Sequence, residues 1–227
     1  MRSLRYLVSR PGALTVAYME GRRKAYTTPL QLFLVANVLF FALQALTGSR
    51  IFSTTLESHL HLQDWAPVAQ QLVGSHLKRM QMPIEVYAPI FDRAVALNAK
   101  SLIILMAIPF TLLLPIAFQR SRRPFAVHVV FALHFYAFLL LLFCVALVVV
   151  AIDVRFGGSG LESSSIDRAV SIAQLLICGI YLYLATGKVY GSRGAVRILT
   201  TLPLTLAVGA IVLGYRFALL LITLYST

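Results

Sequence analysis

The stretch FAVHVVFALHFYAFLLLLFCVALVVVAI, residues 125–152, contains no Asp, Glu, Lys or Arg. As a helix it would reach ~42 Å at 1.5 Å per residue, beyond the ~30 Å hydrocarbon core of a bilayer, so it must tilt or protrude. Further apolar runs lie on either side, at 30–47, 101–118, 169–186 and 198–224. Each is near the ~20 residues that a helix needs to cross. These runs predict an all-α polytopic membrane protein with a bundle of about five transmembrane helices.

Composition agrees. Of 227 residues, 59% are hydrophobic, and mean hydropathy is +0.82. Soluble domains run nearer 45–50% apolar. The formal charge of +12 could signal nucleic acid in a soluble protein. Here the charges flank apolar runs, where anionic head groups are the nearer partner. The expected partners are therefore membrane lipids, with a membrane-protein partner or a second copy as further company, and no nucleic acid. Cys144 and Cys178 lie inside apolar runs and read as packing residues. The basic N-terminus is followed by an apolar run too long for a signal-peptide core.

Charge also gives an orientation. Residues 1–29 carry six bases against Glu20, a net of +5. The connections 119–124 and 187–197 each carry three bases and no acid. The connection 48–100 has five bases and four acids, and 153–168 has two and three. Lys and Arg resist translocation, so the basic segments read as cytoplasmic. That alternation fits five spans, N-terminus inside and C-terminus outside, in a bacterial inner membrane.

The expected organisation is a basic amphipathic cytoplasmic segment, 1–29, followed by the bundle, 30–227, with an outer helical loop at 48–100. Within the first, 11–20 reads as a short helix lying on the membrane face, with Pro11 in its first turn and Gly21 at its stop. Arg22, Arg23, Lys24 and Tyr26 then sit at head-group level as lipid contacts. The plainer alternative is a positive-inside anchor without lipid specificity. In the outer loop, Trp65, Val68, Ala69, Leu72, Val73 and Leu77 have helical spacing. So do Ile84, Tyr87, Phe91, Ala94, Val95 and Asn98, with Pro83 at N1. The two form a small amphipathic cap. Pro109 and Pro115 should kink the second span.

Ionisable groups inside spans are costly and mark candidate functional positions. His128 and His134 are six residues apart, hence about 120° apart around the helix, and cannot chelate one ion alone. His134 shares a stripe with Val127, Val130, Phe131, Phe138 and Leu141. His128 shares a face with Phe131, Ala132 and Phe135. Each reads either as a histidine bonded to a neighbouring helix or as a relay or ligand residue. Arg216, near the outer end of the last span, and Asp153, ending the third, read as a structural ion pair. Glu57, His61 and Asp64 share one helical face near His59 and His76, a set that could hold a divalent ion but reads as a solvated face. No nucleophile elbow, HExxH, phosphate loop or dinucleotide fingerprint occurs. No catalytic residue, metal ligand or cofactor is therefore assigned, and the reading leans towards a non-enzyme.

Three stretches carry a family likeness. They are RPGALTVAYMEGRRKAYTTPLQLFLVAN at 10–37, RSRRPFAVHVVFALHFYAF at 120–138, and GKVYGSRG at 187–194. Together they resemble an uncharacterised family of bacterial inner-membrane proteins, a domain of unknown function. The third span resembles its E-H-x-x-F-x-x-H-x-x-x-F pattern. His128, Phe131, His134 and Phe138 match, and Val127 stands where an acid would be expected. The resemblance implies an N-terminal four-cysteine zinc ribbon in many relatives, and this chain lacks the four cysteines for one. The resemblance implies topology and brings no activity. The leading expectation is a non-enzymatic membrane scaffold or accessory subunit in contact with anionic lipid. The alternative is an oligomeric small-molecule or ion permease with His134 on its path.

Overall fold

The computed structural model describes residues 2–22, 25–48, 51–158, 160 and 164–227, with 164, 165 and 167 described by backbone alone. Arg23 and Lys24, two of the expected lipid contacts, lie outside the described residues. Among the described residues all regular structure is helical. The helices are α1 (Arg2–Ser9), α2 (Ala13–Met19), α3 (Pro29–Thr47), α4 (Leu56–His61), α5 (Ala66–Met80), α6 (Ile84–Leu102), α7 (Ala107–Ala117), α8 (Phe125–Arg155), α9 (Ser164–Tyr190) and α10 (Gly194–Ser226). Five stretches are long and apolar enough to cross a bilayer: α3, α6 continued by α7, α8, Arg168–Tyr190 of α9, and α10. Their outward faces remain greasy, with Val38, Leu46, Ile116, Val145 and Leu176 all more than half exposed. Soluble monomers rarely expose such stripes; lipid tails cover them at no cost. The chain is an all-α, multi-pass membrane protein.

The chain forms two compact units, Met1–Ser49 with Ala107–Ala210, and Arg50–Met106 with Ile211–Thr227. The first is built around α8, the most apolar of the spans at mean hydropathy 3.1. α8 packs against α1, α2, α3, α7 and α9. α3 starts sharply because Thr28 and Gln31 form a reciprocal capping box ahead of Pro29. It then places Phe33, Ala36 and Phe40 against α8, with the Phe40 and Phe143 rings 6.0 Å apart. α9 adds Tyr181, stacked on Phe138 at 3.8 Å. Cys144 and Cys178 are free thiols.

In the second unit α6 buries Tyr87, Phe91, Val95 and Ala99, a stripe with period four. Hydroxyls and an amide pin it to the end of α10: Tyr87 with Thr227 at 2.6 Å, Asn98 Nδ2 to Thr223 Oγ1 at 3.0 Å, and Tyr215 to the Ala99 carbonyl at 3.0 Å. Pro83 is the N-cap and not N1. The second span expected at 101–118 falls almost wholly within a longer apolar helical stretch, Ile84–Ala117. A short 3₁₀ segment, Ile103–Met106, interrupts it. Pro109 explains the joint, because its ring collides with the carbonyl four residues back, at Leu105.

Candidate functional site

Two glycines and a proline shape the N-terminal end. α1 ends at Ser9, and the chain turns through Pro11 and Gly12, the latter at φ +77°. α2 follows and stops at Gly21, at φ +76°. α2 does more than lie on a surface. Leu14, Thr15 and Ala17 are buried against α8 and α9. At Gly12 a side chain would meet the backbone of Ala185 on α9, with the carbonyl oxygen 2.9 Å from the added carbon. Small residues on both sides make that approach possible.

This wedge brings Thr15 to His134. The Thr15 hydroxyl lies 2.9 Å from His134 Nδ1, and both residues are buried. Beside them is a cavity of about 110 Å³. Leu14 and His134 line its buried end, half-buried Tyr18 and Tyr26 its walls, and exposed Arg22, Thr27 and Thr28 its mouth. Arg22 pairs with Glu20. Thr27 donates to Ser3 Oγ from both its amide and its hydroxyl. Tyr26 packs on Tyr6 at 5.6 Å, and the Arg2 guanidinium lies 5.9 Å from its ring centre.

His128 turns to another neighbour. Its Nδ1 is 3.0 Å from the Tyr190 hydroxyl at the end of α9. Tyr190 stacks flat on Phe118 at 4.0 Å, and Phe131 meets its edge. The 187–194 stretch thus supplies a ring that closes over His128. It also supplies Gly187, whose lack of a side chain leaves room for the Arg197 guanidinium. Arg197 donates to the Tyr183 carbonyl at 2.6 Å and lies over the Tyr183 ring.

The remaining candidates lie apart from this site. The Asp153 carboxylate accepts from the Gly160 amide at 3.0 Å. Arg216 belongs to the other unit, where its Nη2 is 3.4 Å from Thr54 Oγ1. His59 is buried beside Trp65, whose indole N–H donates to its Nδ1 at 3.2 Å. Burial, helped by the Arg216 guanidinium, pushes His59 down to about 4, so it is neutral at ordinary pH. Among the described residues no three His, Cys, Asp or Glu converge to hold a metal.

Sequence reasoning singled out both spanning histidines and Arg22 and Tyr26, but not Thr15, Thr27, Thr28 or Tyr190. Thr28 had a readable signal, the T-x-x-Q box before an apolar run. Thr15 had none.

These elements define a multi-pass helical membrane protein with a recess near the N-terminal end of α8, lined by Leu14 and tyrosine rings together with Arg22, Thr27, Thr28 and His134. Residues 1–41 match the profile of a family described as protein of unknown function (DUF3667). The matched segment includes every cavity residue except His134. No curated protein and no solved structure matches the chain.

Proposed function

We propose that this chain is a non-enzymatic scaffold or accessory subunit of the bacterial inner membrane. Its N-terminus is cytoplasmic, its C-terminus periplasmic, and its basic N-terminal segment contacts anionic lipid. The supporting observation is how the two spanning histidines are used. Each is hydrogen-bonded to the hydroxyl of a neighbouring element, His134 to Thr15 and His128 to Tyr190, within an aromatic core. That is how polar side chains brace helices in a membrane. Among the described residues neither spanning histidine is bonded to a carboxylate or to the other histidine. The alternation of basic and near-neutral connections supports the orientation.

A second reading, the oligomeric small-molecule or ion permease, is favoured by one observation: the cavity reaches His134. Flux measurements separate the two. Proteoliposomes of the purified full chain, loaded with a pH-sensitive dye, should acidify no faster than empty liposomes. A wild-type flux that disappears in a well-folded His134→Leu protein would replace the scaffold with the permease.

A further inference from the structure

We infer that the cavity between α2, the turn into α3 and α8 is a binding site for a terminal phosphoryl group, borne by a phosphomonoester lipid or by free phosphate. The inference rests on the lipid-contact reading above and narrows it from general attraction to a built site. The donors come from separate elements and converge on one recess. Nη2 of Arg22 is on Glu20, which leaves the other N–H groups of the guanidinium at the mouth. Among the described residues the Tyr26 hydroxyl has no hydrogen-bond partner, while its ring is held by Tyr6 and Arg2. Thr28 Oγ1 accepts from the Gln31 amide and keeps its own proton to give. The 19-residue α3 also points its N-terminal dipole end towards this recess.

The independent observation is His134 at the closed end. It is only 4% exposed, and its Nδ1 is taken by Thr15. Thr15 has no other side-chain bond among the described residues, so the pair satisfies one ring nitrogen of His134 and leaves the other to the recess. Nε2 of His134 has no protein partner among the described residues, and in the tautomer in which Thr15 donates to Nδ1 it presents an N–H to a bound group. Arginine, tyrosine and threonine donors with an imidazole nitrogen, brought to one recess from separate elements, can engage the three terminal oxygens of a tetrahedral group at once. A recess of about 110 Å³ admits a terminal group more readily than a diester carrying chains on both sides.

Depth agrees with a head group. α8 has 31 residues, about 46 Å, so it overhangs a ~30 Å core by ~8 Å at each end when centred. His134 lies ~13 Å along α8 from Phe125, about 5 Å inside the hydrocarbon edge.

The test uses the full chain in phosphatidylcholine nanodiscs doped with phosphatidic acid or with phosphatidylserine, and native mass spectrometry of the lipids retained. Phosphatidic acid should be retained over phosphatidylserine. Arg22→Gln and Tyr26→Phe, both outside the packed core, should each reduce that retention by roughly tenfold. In undoped nanodiscs, inorganic phosphate that raises the melting temperature of wild type but of neither variant would support the same site with free phosphate as the source. Equal retention of the two anionic lipids, unaffected by either variant and without a phosphate effect, would overturn the site and leave only charge attraction. Loss of any preference for anionic over zwitterionic lipid would remove the lipid-contact reading as well.

Discussion

Gly12→Ala should lower the melting temperature of the detergent-solubilised protein by roughly 6–12 °C, the largest effect expected of a one-carbon change in this chain. Two terms add. The backbone at Gly12 is left-handed, φ +77°, which costs an L-residue about 1–2 kcal/mol. The new carbon also meets Ala185, with the carbonyl oxygen at 2.9 Å and Cα at 3.1 Å. Those are backbone atoms of a packed helix and cannot swing away, so α2 must lift off α9. A total of about 3 kcal/mol is reasonable for overpacking combined with backbone strain. Gly21→Ala is the control. It has nearly the same φ, +76°, with nothing within 4 Å of the added carbon. It should lose only the first term. Equal losses at the two positions would mean that α2 is not wedged against α9.

His134→Leu should be the more damaging of two substitutions at that position. Leucine fills much of the imidazole's space but leaves the Thr15 hydroxyl buried and without its partner. An orphaned buried donor costs about 1–3 kcal/mol. His134→Gln can still offer an acceptor and should be milder. The decisive variant is the double one, His134→Leu with Thr15→Val, in which neither partner remains to be satisfied. It should recover part of the loss, with a coupling of about 1 kcal/mol. Strictly additive losses on unfolding would show that the Thr15–His134 bond contributes nothing to α2 docking.

The spans were legible in the sequence because burial in lipid needs only length and greasiness. Residues 125–152 announce α8 without reference to any other segment. The full length of the second helical stretch was not legible, for a physical reason. Arg93, Asn98 and Lys100 break the apolar run, so 84–98 looked like a separate outer helix. Its buried stripe from Tyr87 to Ala99 nevertheless runs on into Met106. Hydropathy averages over all faces of a helix, whereas packing needs only one.

The site was half legible. A histidine in a span stands out because its burial is costly. What satisfies it does not, because Thr15 is 119 residues away and is one hydroxyl in an apolar segment. Gly12 likewise read as part of a helix start. That it must be glycine follows from Ala185 on α9, which local sequence cannot indicate. The charge pattern gave the mouth of the recess, through Arg22 and Tyr26, but not its closed end.

The bundle, the recess and the leaflet it faces all depend on five spans with the N-terminus inside. Paired reporter fusions test that most directly, one after Arg122 and one after Thr227, each read with a cytoplasm-active and a periplasm-active reporter. The account predicts cytoplasmic activity at Arg122 and periplasmic activity at Thr227, from the basic 1–29, 119–124 and 187–197 segments. Cytoplasmic activity from the fusion after Thr227 would contradict it.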